Sequence, residues 1–319
     1  MTNRRSLLLA AATLPLAAPA LAQGRAIRAI VPFPPGGGVD VFGRTLAPAL
    51  SQALGVPVVV ENIGGASSRI GTQAVLRAAP DGQTILVTND TLAAVEALPV
   101  AGSGPFLPGL APVLLGASAP QLLVTHPRSG LRSAEDYAAR LRANRPVNVG
   151  VPGLGSSQHF ASELIAQALG GRPEHVAYRG GGPLLADLVA GTVDAGVVTL
   201  GAGIEQVRDG RLVGLGVTSP ARSAALPGVR SFAAALAPGF AVETWMGVLT
   251  PAATPEPVLA ALHQASLTAL RSAAVTERLA ALGFEAPGLP PERFGDVLRD
   301  TTRRFAAIAQ LVGIRPGEA

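Results

Sequence analysis

The sequence lacks cysteine and lysine altogether and is poor in aromatic residues. Without cysteine, the chain has no disulfide, thiolate nucleophile, zinc–thiolate site or lipidated N-terminal cysteine. Because lysine is absent, all 25 basic residues are arginines. They are scattered along the chain, and the formal net charge is only +4. Nine phenylalanines, two tyrosines and one tryptophan offer few rings for stacking on bases. We therefore expect no nucleic-acid binding and a fold stabilised by its hydrophobic core.

The first 22 residues predict an export signal. Arg4 and Arg5 form a positive start, Leu7–Leu16 are mostly apolar, and Ala20 and Ala22 are small residues that suit a cleavage site. We expect cleavage after Ala22 by either the Sec or the twin-arginine route, because an Arg-Arg pair suits both. A membrane anchor is the alternative, but the apolar run contains prolines and falls short of the ~20 residues that a bilayer span needs. The expected product is a soluble exported protein.

Alternating strand and helix patterns after this segment predict an α/β fold made of two units. In the first unit the predicted strands are Ile27–Val31, Val56–Val60 and Thr84–Thr88, and the predicted helices are Phe42–Leu54 and Thr72–Ala79. A stretch rich in proline and glycine follows, and then one or two buried strands within Val113–Val124. In the second unit the predicted strands are Val147–Val149, His175–Tyr178, Ala195–Thr199 and Val213–Val217, and the predicted helices are Ala134–Ala143, Gln158–Leu169 and Pro183–Ala190. Strands joined by helices in this way favour parallel sheets.

The C-terminal quarter predicts a return of the chain to the first unit. A strand pattern at Val242–Leu249 precedes three helical stretches, Pro257–Ser272, Thr276–Leu282 and Pro291–Leu311. Three helices need a sheet to cover, so we expect them to pack on the first unit. The predicted domain 1 is then 23–122 plus 244–319, and domain 2 is 123–243. The chain then passes between the two domains twice. This arrangement predicts a hinge, with a ligand-binding cleft between two domains whose sheets are parallel or mixed.

Two glycine-rich segments predict an anion site in that cleft. One runs from Pro34 to Asp40 and the other from Pro152 to His159, and each follows a strand and precedes a helix. The start of a helix leaves amide N–H groups unpaired and carries partial positive charge, so two such ends can bind a carboxylate without a cationic side chain. The candidate ligand-binding residues in the two segments are Gly36, Gly37, Gly38, Asp40, Gly155, Ser156, Ser157 and His159.

Several of these residues also have ordinary structural interpretations. Asp40 occupies a position that suits a helix N-cap, Ser156 or Ser157 can cap the following helix, and His159 can simply be packed. An exported serine hydrolase that uses Ser157 and His159 is an alternative function, although the segment does not match the Gly-x-Ser-x-Gly elbow. His126, His175 and His263 are far apart in sequence, so no metal site is predicted.

Motifs along almost the whole mature chain resemble the Bug family of periplasmic receptors, also called tripartite tricarboxylate transporter substrate-binding proteins. The motifs are Val31–Gly37 with Asp40, Val58–Asn62, Ala78–Gly82, Gly153–His159, Val176–Pro183, Leu188–Asp194, Val217–Ser219 and Leu249–Pro255. The resemblance implies a two-domain Venus-flytrap fold of type II, without catalysis or cofactor. It also implies that a small carboxylate is captured in the periplasm and delivered to membrane transport subunits, with a role as a sensor as the alternative. A monomer suits such a receptor.

The resemblance and the sheet edge point to four further candidate residues. Phe33 belongs to the first motif, and Tyr178 ends a strand at the same predicted sheet edge as the second glycine segment. Arg69 and Asn89 lie where this chain departs from the family pattern, which commonly has small residues before Ile70 and glycine near Asp90. A guanidinium at position 69 would suit the far carboxylate of a ligand. Packing in the core is the alternative for Tyr178, and a solvated loop position is the alternative for Arg69.

Overall fold

The computed structural model describes residues 24–100, 102–143 and 145–314, so the predicted export signal lies outside the described residues. The strands are β1 Ile27–Val31, β2 Val58–Asn62, β3 Thr84–Asn89, β4 Leu110–Thr125, β5 Asn148–Val151, β6 Glu174–Ala177, β7 Ala195–Thr199, β8 Val213–Val217 and β9 Glu243–Pro251. The helices are α1 Gly38–Leu54, α2 Arg69–Leu76, α3 Thr91–Ala97, α4 Ala134–Arg142, α5 Ser157–Leu169, α6 Gly181–Ala190, α7 Leu200–Arg208, α8 Phe232–Ala235, α9 Glu256–Leu270, α10 Ala273–Ala281 and α11 Pro291–Val312. None of these helices is long and apolar enough to cross a membrane.

One strand, β4, belongs to two groups of strands and connects them. The order of the sheet is β2-β1-β3-β9-β4-β7-β5-β6, and β8 also pairs with β4. Residues Leu110–Pro120 of β4 pair with β9, whereas Gln121–Thr125 pair with β7. We call β1–β3, β9 and Leu110–Pro120, with the helices packed on them, lobe 1. The strands β5–β8 and Gln121–Thr125, with their helices, are lobe 2.

The C-terminal helices cover lobe 1, as the sequence pattern predicts. Helix α9 packs against α1, and α11 packs against α3 and β4. The apolar faces of these helices are buried; Leu262 of α9 and Phe294 of α11 are both 0% exposed. Burying one such side chain contributes roughly 1.5–3 kcal/mol relative to leaving it in water. The return strand β9 runs antiparallel to both β3 and β4, so the sheet of lobe 1 is mixed rather than wholly parallel.

Helices α3 and α7 were not predicted from the sequence. Each begins within two residues of the end of a buried strand, α3 after Asn89 and α7 directly after Thr199. Neither junction contains the glycine or proline that usually marks a turn, so a local pattern shows no boundary there. Helix α1 also begins earlier than predicted, at Gly38 rather than at Phe42. These differences matter because α1 and α7 both begin at the site described next.

Candidate ligand site between the lobes

A pocket lies between the two lobes, at the carboxyl ends of four strands. Phe33 follows β1, Asn89 ends β3, Pro152 follows β5, and Thr199 ends β7. The carboxyl ends of parallel strands are the usual position of a ligand site in α/β folds. The residues that line the pocket are Phe33, Gly37, Gly38, Val39, Asn89, Pro152, Gln158, Gly181, Val198, Thr199 and Ala202.

Three helices begin at this pocket without a capping side chain. The N-cap residues of α1, α6 and α7 are Gly37, Gly180 and Thr199. None of them has a side chain that accepts a hydrogen bond from a backbone N–H group of the helix that follows. The first amide N–H groups of a helix lack partners within the helix, and they carry its partial positive charge. Three such ends, one from lobe 1 and two from lobe 2, therefore favour an anion at this position.

The backbones of the two lobes touch beside the pocket, and glycine makes this approach possible. A Cβ atom added to Gly182 would lie 1.9 Å from the carbonyl oxygen of Pro35. A Cβ added to Gly38 would lie 2.7 Å from the Cβ of Thr199. Real Cβ atoms do not approach other atoms so closely, so only glycine fits at both positions. The structure is thus a closed arrangement of the lobes.

Asp40 holds the first glycine segment rather than lining the pocket. It lies at the third position of α1, and Gly37 is the N-cap, so the predicted capping position of Asp40 is wrong. Its carboxylate accepts hydrogen bonds from the Gly36 N–H (3.0 Å), the Arg44 guanidinium (2.9 Å) and the Asn62 amide (2.9 Å). Burial alone would raise the pKa of Asp40, but these hydrogen bonds outweigh it and lower the pKa.

Ser156 and His159 hold the second glycine segment. Ser156 is the N-cap of α5; its Oγ accepts from the His159 N–H (3.2 Å) and donates to the Gly153 carbonyl (2.7 Å). The ring nitrogen Nδ1 of His159 accepts from the Gly155 N–H (3.1 Å). Burial, with a smaller contribution from His175, lowers the pKa of His159 to about 3, so the ring is neutral at physiological pH. Both side chains therefore position the segment.

The structure brings together three side chains that could coordinate a metal ion, His159, Glu163 and His175. Their potential coordinating atoms lie within 4.8 Å of one another. His175 also contacts Glu163 through Nδ1 (3.3 Å) and Ser162 through Nε2 (2.9 Å). Because Nδ1 of His159 accepts a hydrogen bond from a backbone N–H, the single proton of its neutral ring is on Nε2. A metal-bound histidine instead donates from the nitrogen that does not bind the metal. The cluster therefore does not suit a metal ion.

Ser157 is buried where α5 meets lobe 1. Its N–H donates to the Thr91 hydroxyl (3.3 Å), and its Oγ lies 3.5 Å from the Asn89 amide nitrogen. Within the described residues, Ser157 Oγ makes no hydrogen bond to His159, whose Nδ1 is occupied by Gly155. The nucleophile–base contact that a serine hydrolase needs is therefore not formed. The geometry does not support the hydrolase alternative.

Arg69 and Tyr178 do not line the pocket. Arg69 is only 7% exposed, and its guanidinium donates to the Leu98 carbonyl (2.9 Å) within lobe 1. Tyr178 lines a second groove between the lobes, which shares Phe33 and Pro152 with the pocket. Its hydroxyl donates to Asp187 (2.9 Å), and burial together with this carboxylate raises the pKa of Tyr178 to about 12.

The structure adds seven residues to the pocket that were not among the candidates. They are Val39, Pro152, Gln158, Gly181, Val198, Thr199 and Ala202. Gly181 had a usable signal, because the glycine run at 180–182 also lies between a strand and a helix. Val198, Thr199 and Ala202 had a weaker signal, because the glycine of this stretch, Gly201, already lies inside α7 rather than in a turn before it. Of the candidates, Phe33, Gly37, Gly38 and Asn89 line the pocket.

Comparisons with known proteins agree with this fold. Residues 42–314 match the model of the tripartite tricarboxylate transporter family receptor. The chain is 35% identical to protein BugT of Bordetella pertussis over 311 residues, which cover 95% of each chain.

Two solved structures have a similar fold. The structure of R. palustris Rpa4515 with adipate shares 28% identity, a TM-score of 0.87, and coverage of 92% of this chain and 99% of that chain. The structure of MatC from Rhodopseudomonas palustris with bound malate shares 28% identity, a TM-score of 0.83, and coverage of 89% and 98%. The structure of periplasmic binding protein BugD is also similar, with 27% identity, a TM-score of 0.86, and coverage of 91% of this chain and 98% of that chain. This similarity confirms the predicted fold class, and the matched family is one of receptors rather than enzymes. The chain therefore belongs to the tripartite tricarboxylate transporter receptor family of periplasmic solute-binding proteins.

Proposed function

We propose that this receptor binds a small carboxylate in the pocket between the lobes. The observation that carries the proposal is the meeting of three helix N-termini without capping side chains at one pocket. Their amide N–H groups supply hydrogen bonds and partial positive charge to an anion. The malate and adipate in the two neighbouring structures are both carboxylates, which supports this ligand class.

We further propose that ligand binding closes the lobes. In this proposal domain 1 comprises 23–122 and 244–319, and domain 2 comprises 123–243. The partner exchange of β4 near Pro120 and the start of β9 at Glu243 lie close to these boundaries. Closure would bring the N-termini of α6 and α7 onto α1, so that both lobes contact one carboxylate. Hinge closure of this kind couples ligand binding to a change in surface shape.

The proposed biological role is delivery of the carboxylate by a monomeric receptor to membrane transport subunits of a tripartite tricarboxylate transporter. The route begins with export of the chain by its first 22 residues and cleavage after Ala22, which leaves Gln23 as the first residue of the mature protein. The closed surface is then the signal that the transport subunits recognise.

A charge introduced by an isosteric substitution tests the carboxylate site. Gln158 lines the pocket and is 6% exposed, so Gln158→Glu places a carboxylate beside the helix N-termini. Gln167→Glu is the matched control, because Gln167 lies on the same helix but is exposed. Thermal shifts of the mature chain with a panel of carboxylates measure binding, since ligand at 100 times its Kd adds about 2.7 kcal/mol to the free energy of unfolding.

The expected result is stabilisation of the wild-type protein and of Gln167→Glu by one or a few related acids, with the shift reduced or lost in Gln158→Glu. Repulsion between like charges in a desolvated site is the physical reason. If no carboxylate stabilises the wild-type protein, the proposed ligand class is wrong. If Gln158→Glu binds its acid as well as the control does, the acid is bound elsewhere.

A further inference from the structure

The polar side chains of the pocket point to the ligand's chemical class, an inference that rests on the proposed function. We propose that the pocket selects organic acids that carry no amino group and excludes amino acids. The three polar side chains that line it, Asn89, Gln158 and Thr199, are all neutral and nearly fully buried, between 3% and 6% exposed. The hydrogen bonds that these side chains make within the protein determine which of their donor and acceptor atoms can still bind a ligand.

The acceptor oxygens of these side chains already receive hydrogen bonds from the protein. Asn89 Oδ1 accepts from the Thr91 N–H (3.2 Å), and Gln158 Oε1 accepts from Ser157 Oγ (3.2 Å). Thr199 Oγ1 accepts from Gln158 Nε2 (3.2 Å). An ammonium group is a pure donor and needs several acceptors, whereas each of these oxygens already uses one of its two lone pairs within the protein.

Donors, in contrast, remain for the ligand. Among the described residues, the amide nitrogen of Asn89 makes one contact, a long one of 3.5 Å to Ser157 Oγ. The hydroxyl of Thr199 has a proton to donate, because the hydrogen bond from Gln158 uses its oxygen as an acceptor. The helix N-termini add backbone N–H groups with partial positive charge. Carboxylate and keto oxygens, which only accept, match this set of groups.

An ammonium group would also be repelled electrostatically. It would lie beside the positive ends of α1, α6 and α7 and would lose its hydration to a wall completed by apolar side chains. The apolar part of the wall consists of Phe33, Val39, Pro152, Val198 and Ala202. A buried cation is stable only when a counter-charge or several acceptors compensate for its lost hydration. The pocket thus favours acids whose remaining atoms are apolar or accept hydrogen bonds.

Matched pairs of acids test the inference by titration calorimetry. Each pair shares a carbon skeleton and its carboxylates and differs at the second carbon: lactate with alanine, malate with aspartate, 2-oxoglutarate with glutamate, and adipate with 2-aminoadipate. The member without an amino group is expected to bind at least about 100-fold more tightly, because like-charge contacts in an interface are strongly unfavourable.

One pocket substitution should reverse this preference. Asn89→Asp keeps the shape and replaces the donor by a negatively charged acceptor, so affinity for the amino acid should rise and affinity for the plain acid should fall about tenfold or more. Asn148→Asp is the matched control at an exposed position. If Asn89→Asp fails to fold, Ala202→Asp on α7 introduces the same charge at a half-buried wall position.

The outcomes separate this inference from the proposed function. Preference for the plain acid in any pair, reversed or weakened by a pocket aspartate but not by Asn148→Asp, supports the inference. Equal or tighter binding of an amino acid by the wild-type protein overturns it and leaves the carboxylate receptor standing. Absence of binding by every member of every pair, and by the wider carboxylate panel, overturns the proposed function itself.

Discussion

The contact between Gly182 and Pro35 gives a direct test of whether this closed arrangement is the ligand-bound one. Alanine at position 182 would place its Cβ 1.9 Å from the Pro35 carbonyl oxygen, so the lobes cannot close as they do here. Overpacking of this kind costs about 1–3 kcal/mol. Since 1.4 kcal/mol is a tenfold change in affinity, Gly182→Ala should raise the Kd roughly 5- to 150-fold.

The substitution should not harm lobe 2 itself. Gly182 lies in the first turn of α6 and its φ is not positive, so alanine fits the helix backbone. Alanine is a better helix former than glycine by about 1 kcal/mol, and the ligand-free protein is therefore expected to unfold at an equal or higher temperature than the wild-type protein. Weaker binding together with undiminished stability is a combination that general damage to the fold would not produce.

Calorimetry measures the Kd, and small-angle scattering with saturating ligand measures whether the protein becomes compact. Gly228→Ala is the control, because a Cβ at Gly228 meets no atom within 4 Å. Binding by Gly182→Ala with the wild-type Kd and the wild-type compaction would refute the argument that the ligand closes the lobes onto this contact. A lower melting temperature of the ligand-free variant would instead show that the contact also forms without ligand.

Three further predictions concern buried polar groups. Burial raises the pKa of Asp90 to about 7 despite a hydrogen bond from Thr244, so the folded state keeps a proton that the unfolded chain releases, and Asp90 lowers the free energy of unfolding as pH rises from about 4 to 7. In denaturant titrations over this range the wild-type protein should lose up to about 1.4 kcal/mol more stability per pH unit than Asp90→Asn. Burial lowers the pKa of His159, so its contribution has the opposite sign: below about pH 6.5 the unfolded chain binds a proton that the folded state does not. As pH falls from about 6 to 4, the wild-type protein should therefore lose more stability than His159→Asn in the same titrations. Arg69→Met should leave the Kd unchanged by calorimetry and lower the free energy of unfolding by about 1 kcal/mol, because its hydrogen bond to Leu98 is structural; a changed Kd would return Arg69 to the ligand site.

The sequence predicted those parts of the site where the backbone requires a particular residue type. Glycine between a strand and a helix is such a signal, and it correctly placed Gly37 and Gly38 at the pocket. The roles of side chains were harder to predict. Asp40 and His159 lie in the same glycine-rich segments, but they accept hydrogen bonds from the N–H groups of Gly36 and Gly155 and do not line the pocket. A sequence window shows that a polar residue is near a site, whereas its partners are fixed only by the fold.

Lobe 2 shows why half of the pocket was missed. Thr199 ends a buried strand and begins a helix without an intervening turn, so neither a loop nor a cap marks the junction. Its position opposite Gly38 depends on how the two lobes close, which is a contact between segments about 160 residues apart. The same contact explains the glycines on both sides of the cleft: Gly38 leaves room for Thr199, and Gly182 leaves room for Pro35. In this receptor, glycine therefore gives the ligand access to helix N–H groups and also lets two backbones meet. A substitution such as Gly182→Ala, outside the residues that line the pocket, can thus weaken binding as much as one inside it.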